Sequence, residues 1–128
     1  MHFINLTPHT INIFAKKGDD APAMIVLPSG IVARAATQTE HVDTFDGIPI
    51  FRVEHGDLEG MPADWSWPKE ETVLITSALA KPALDLWLDE NTPPNEEAEP
   101  LALVWTASPG ELVRDKEGQP IGCIGLNF

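Results

Sequence analysis

The chain has 128 residues, with 20 Asp and Glu against 8 Lys and Arg, a net charge of −12, and a single cysteine. That length predicts one hydrophobic core, large enough to fold without a disulfide or a metal. Lone Cys123 excludes an internal disulfide and a cysteine-rich zinc module, and the acidity argues against a nucleic acid polymer as partner.

Short apolar runs at Phe3–Leu6 and Ile11–Ala15 read as strands broken by Thr7-Pro8-His9, where Pro8 lacks a donor and restricts the residue before it. A turn over residues 16–20 leads to a strand at Met24–Leu27. The turn Pro28-Ser29-Gly30 then leads to a strand at Ile31–Ala36. Asp46-Gly47 between β-formers predicts a two-residue hairpin that sets Pro49 opposite Thr44, Val42 opposite Phe51 and His41 opposite Arg52. Residues 56–67 read as irregular, and Thr72–Thr76 as a strand. Ser77–Leu88 is the helix candidate, with Ser77 as cap and Pro82 delaying its start. An acidic mobile loop is expected at about residues 89–100. Strands at Leu101–Thr106, Leu112–Arg114 and Ile121–Ile124 follow, with Ser108-Pro109-Gly110 as a structural turn. The expected fold is α+β and mostly antiparallel β: about eight short strands, sandwich- or barrel-like, with one principal helix in a single domain. Trp87 and Trp105 are assigned to the core, and Trp65 and Trp67 to its edge or to a stacking surface.

Four histidines are present, but alternation sends His41 and His55 to opposite faces, so no metal site is expected. His9 sits in a constrained corner between two strands, where it suits a ligand contact or a general base. Arg34 follows the Pro28-Ser29-Gly30 turn in an otherwise apolar row, so it needs either an internal carboxylate or an anion from outside. Ser77 stands at a strand-to-helix junction, a corner that favours anions. Cys123, between two glycines in an apolar strand, reads as a buried small hydrophobe. Thr7, His9, Ser29, Arg34 and Ser77 are therefore the candidate ligand-binding residues, with no catalytic residue and no cofactor assigned.

The segments Asn5-Leu6-Thr7-Pro8-His9, Pro28-Ser29-Gly30 through Ala33-Arg34, and Pro109-Gly110-Glu111-Leu112-Val113-Arg114-Asp115 with Ile121-Gly122-Cys123 resemble a family of short phage- and prophage-associated hypothetical proteins. The likeness spans nearly the whole chain. It implies a phage accessory protein at work in the host cytoplasm. No basic-then-apolar leader pattern and no apolar run of membrane-spanning length opposes that location, so no membrane partner is expected. A homo-oligomer that sequesters a small anionic, nucleotide-derived ligand of the cyclic or ADP-ribose type is the leading expectation. The alternatives are a hydrolase using His9 as base beside Ser77 or Cys123, and an acidic inhibitor presenting Asp85–Glu99 to a basic host protein.

Overall fold

The structure is a computed structural model, and it describes residues 1–94 and 101–128, without the side chain of His55. The expected α+β, mostly-β class stands: the described residues form eight strands and one helix. In chain order these are β1 (His2–Asn5), β2 (Ile11–Phe14), β3 (Met24–Val26), β4 (Arg34–Phe45), β5 (Ile48–Glu59), β6 (Thr72–Ile75), α1 (Lys81–Asn91), β7 (Val104–Arg114) and β8 (Pro120–Asn127).

Six strands form one mixed sheet in the order β1-β6-β7-β8-β2-β3. A parallel bridge between Asn5 and Pro28 brings its two ends together, so the sheet curls into a nearly closed barrel. β1, β6 and the first half of β7 run parallel, with Ile4 beside Leu74 and Leu74 beside Thr106. After Ala107, β7 leaves β6 and pairs antiparallel with β8, starting at Ser108 and Asn127. Ser108-Pro109-Gly110, expected as a turn, therefore lies inside a strand that changes partner there. Gly110 permits it: a Cβ at that position would stand 2.0 Å from the Ile124 carbonyl oxygen.

Alternation divides the apolar side chains between two cores. Val73 and Ile75 point into the barrel with Ile11, Ile13, Val26, Ala107 and Cys123. Leu74 points outward to Leu6, Ala33, Leu84 and Leu88, under α1, and Trp65, Trp67 and Trp87 cover the margin. Trp65 meets Trp87 edge-on at 5.0 Å between ring centres and Trp67 at 6.0 Å. Trp105 is the exception to expectation. It stands 44% exposed against Phe128: parity sets Trp105 on the face of Val73 and Ala107, but it lies near the amino end of β7, where it packs on Phe128 rather than in the barrel core.

The helix begins at Lys81 rather than Ser77. Pro82 falls in its first turn, and Ser77–Ala80 form a separate turn in which the Ser77 hydroxyl and carbonyl both accept from the Ala80 amide. β4 likewise begins only at Arg34, leaving residues 31–33 outside any strand.

β4 and β5 form a separate two-stranded ribbon, longer than expected because β5 continues through Gly56 to Glu59. Asp46 and Gly47 both take positive φ, 49° and 80°, as a tight primed turn requires. Thr44 pairs with Pro49 as expected. Val42 then bulges out, so His41 faces Phe51 and Glu40 faces Arg52. A second irregularity after Ala35 restores the register, and Arg34 faces Glu59. The facing of His55 and the end of the acidic loop, residues 95–100, lie outside the described residues.

Candidate functional site

Because β1, β6 and the first half of β7 are parallel, their carboxyl ends open at the same end of the barrel. Thr7 and His9 follow β1, Ser77 follows β6, and Pro109 lies just beyond the last β6–β7 pair. Residues 32–34 lie across this end, fixed by a hydrogen bond from the Ala33 amide to the Leu6 carbonyl at 3.0 Å. Together they enclose a cavity of about 430 Å³ that brings together Thr7, His9, Arg34 and Ser77 over apolar walls including Leu6, Ile11 and Pro109. A larger cavity of about 750 Å³ adjoins it, sharing His9, Ile11 and Pro109 and extending along Asn12, Leu112 and Gly122.

Asn5, which sequence reading passed over, organises the corner. Its side chain is fully buried, and its Nδ2 donates to the His9 carbonyl at 2.6 Å and to the Val26 carbonyl at 3.1 Å. Its Oδ1 accepts from the Thr7 amide at 2.9 Å and the Thr7 hydroxyl at 2.6 Å. Two donors and an acceptor taking two bonds satisfy a carboxamide completely. The only advance signal is parity: Phe3 and Asn5 alternate on one face, which sets an amide inside the barrel.

The candidates thus separate by what their polar atoms already do. The Thr7 hydroxyl is spent on Asn5. Ser29 does not line the cavity: its hydroxyl donates to the Asn5 carbonyl at 2.7 Å and helps close the barrel beside the Asn5–Pro28 bridge. Ser77 lines the cavity with its hydroxyl oxygen accepting from the turn behind it. Among the described residues Arg34 forms no ion pair and the His9 ring no hydrogen bond. Glu59, the cross-strand partner of Arg34, forms no ion pair with it, so no internal carboxylate retires Arg34 to a structural role among those residues.

The electrostatics run against those of the whole chain. With 20 acids in 128 residues, neither cavity has an Asp or Glu in its lining, while one holds Arg34 and both hold His9. Cys123 borders the larger cavity but is 3% exposed, packs in the barrel core and points its thiol at the Gly125 carbonyl. Among the described residues no three His, Cys, Asp or Glu side chains converge on a metal position. No helix among them is long and apolar enough to cross a membrane. Asp85 is engaged by Lys81 at 3.2 Å and by the Thr106 hydroxyl.

Comparison with family models, with curated proteins and with solved structures gave no match for this chain.

Proposed function

We propose that the protein is a non-catalytic binder of a small anionic ligand, seated at the carboxyl ends of β1, β6 and β7. The observation that carries the reading is the guanidinium of Arg34, unpaired among the described residues, at an apolar cavity with no carboxylate in its lining. An arginine so placed offers a planar fork of donors to a phosphate or carboxylate. The apolar walls match the usual makeup of small-molecule pockets, and about 430 Å³ falls within their usual size range.

The adjoining larger cavity favours a ligand with two parts. Its charged group lies at Arg34, and a flat, less polar portion passes His9 towards Asn12 and Gly122. A nucleotide-derived molecule of the cyclic or ADP-ribose type has that shape. The resemblance to phage accessory proteins gives such binding a purpose: sequestration of a host immune signal in the host cytoplasm, by a homo-oligomer. Turnover needs a nucleophile free to meet a base. The hydroxyl of Ser77 is turned to its own turn and the thiol of Cys123 to the barrel core.

Isothermal calorimetry against cyclic mono- and dinucleotides, ADP-ribose and its cyclic forms tests the reading. Binding of at least one, with the ligand recovered unchanged after heating the complex, supports it. No heat across the panel, or recovery of a cleaved product, contradicts it.

A further inference from the structure

The β4–β5 ribbon leaves the body after Ala36. From Thr37 to Asp57 every residue whose side chain is described is exposed, including Phe51 at 54% and Val53 at 56%. An isolated two-stranded ribbon is marginal in water, and one bearing large exposed apolar groups is expected to have a partner.

The paired register divides the ribbon into two unlike faces. Thr39 faces Val53, His41 faces Phe51 and Thr44 faces Pro49, and alternation sets all six on one side. Two contacts fix this grouping across the Val42 bulge: His41 Nε2 lies 2.9 Å from Thr44 Oγ1, and its ring lies 5.6 Å from that of Phe51. None of these six is Asp, Glu, Lys or Arg. The opposite side carries Glu40, Asp43 and Glu54 with Arg52, together with Ile50 and the Phe45–Ile48 pair beside the turn.

The edges of the ribbon are blunted. The Thr44–Pro49 pair is the non-hydrogen-bonded one next to the turn, so the N–H that Pro49 lacks would have pointed outward along β5. The Val42 bulge interrupts the edge of β4. Strand addition is disfavoured on both edges, while the uncharged side stays open.

We infer that this uncharged side of the β4–β5 ribbon packs against the same side of a second copy of the chain, about a two-fold axis. A basic partner would seek the acidic side instead. In a chain of net charge −12, the uncharged side is where two copies can meet without opposing carboxylates. Stacked ribbons lie ~10 Å apart, which sends the charged sides outward to ~20 Å from each other, beyond the ~8 Å screening length at physiological salt. The free ribbon is ~30 Å long, so face-to-face contact buries roughly 700 Å² in total. That is under half of a standard interface, so the dimer is weak and concentration-dependent. The inference rests on the proposed function only for its expectation of an oligomer and needs no ligand.

Sedimentation of the full chain from about 10 µM to about 1 mM, the range a weak interface requires, tests it. The weight-average mass should rise from 14.0 kDa towards twice that value. Phe51→Glu, and independently Thr39→Glu, should hold it at the monomer, while Gln38→Glu on the opposite side leaves association unchanged. Near-UV circular dichroism from the Trp65–Trp87 cluster checks that each variant keeps its body folded. A monomer throughout overturns the inference, as does a dimer that survives both glutamates or one that Gln38→Glu also dissolves. Nucleotide calorimetry on the same samples reads the binding site separately, so either idea can fail without the other.

Discussion

The carboxamide of Asn5 fixes the backbone of His9: its Nδ2 donates to the His9 carbonyl at 2.6 Å while its Oδ1 accepts twice from Thr7. A buried side chain thus shapes the corner that presents the His9 ring, although Asn5 itself touches neither cavity.

Replacing Asn5 by Ala removes four hydrogen bonds and leaves the Val26 carbonyl, buried in the barrel wall, without this donor. Each buried polar group orphaned in this way costs ~1–3 kcal/mol. A loss of roughly 3 kcal/mol is expected in urea unfolding. Asn5→Asp should do no better, because a carboxylate cannot donate to the His9 and Val26 carbonyls. A loss below ~1 kcal/mol for Asn5→Ala would show that the corner is held by something else.

Two glycines of similar appearance in the sequence should respond differently. At Gly110 a Cβ would meet the Ile124 carbonyl at 2.0 Å and Gly125 at 2.9 Å, so Gly110→Ala must push β7 from β8. A cost of about 3 kcal/mol or more is expected. Gly30 has nothing within 4 Å of that position and objects only through its φ of +93°, so Gly30→Ala should cost about 1–2 kcal/mol. Equal losses in thermal unfolding would refute the close β7–β8 approach.

The ribbon and the barrel should open independently. Residues 37–57 pair only with one another, whereas Val73–Ile75 are fully buried between two neighbouring strands. In hydrogen exchange at low protein concentration, ribbon amides should lose protection at least ~100-fold faster than those of β6. Uniform protection along the chain would contradict a free-standing arm.

Much of this organisation was readable in advance, for local reasons. Asp46-Gly47 encodes its turn through two positive φ angles, and the Thr44–Pro49 pair follows from it. The Val42 bulge two pairs later does not follow, because a bulge depends on packing across strands rather than on local preference. Ser77 and Pro82 mark the junction before α1, and Pro82 accounts for the late start at Lys81. What stayed hidden was the parallel pairing of β1, β6 and β7. No local signal reports which strands become neighbours, so Ser108-Pro109-Gly110 read as a turn, although Pro109 lines both cavities. The corner residues Thr7 and His9, with Arg34 and Ser77, were legible because proline and strand ends constrain where polar groups can stand. Ser29 met the same criterion but closes the barrel, since the Asn5 carbonyl lies nearer its hydroxyl than any cavity does.

The corner first suggested by Thr7-Pro8-His9 has thus become a cavity whose one full positive charge is Arg34. The proposed role of this guanidinium is to hold the anionic group of the ligand. The direct measurement is calorimetry of wild type, Arg34→Ala and Arg114→Ala with whichever nucleotide of the panel binds most tightly. Arg114 is a fair control, because its guanidinium already donates to the Gly118 carbonyl at 2.8 Å in an exposed hairpin turn. Arg34→Ala should weaken binding at least tenfold, the ~1.5–3 kcal/mol of a hydrogen bond to a charged group, with Arg114→Ala unchanged. Equal affinity in Arg34→Ala and wild type would contradict that role.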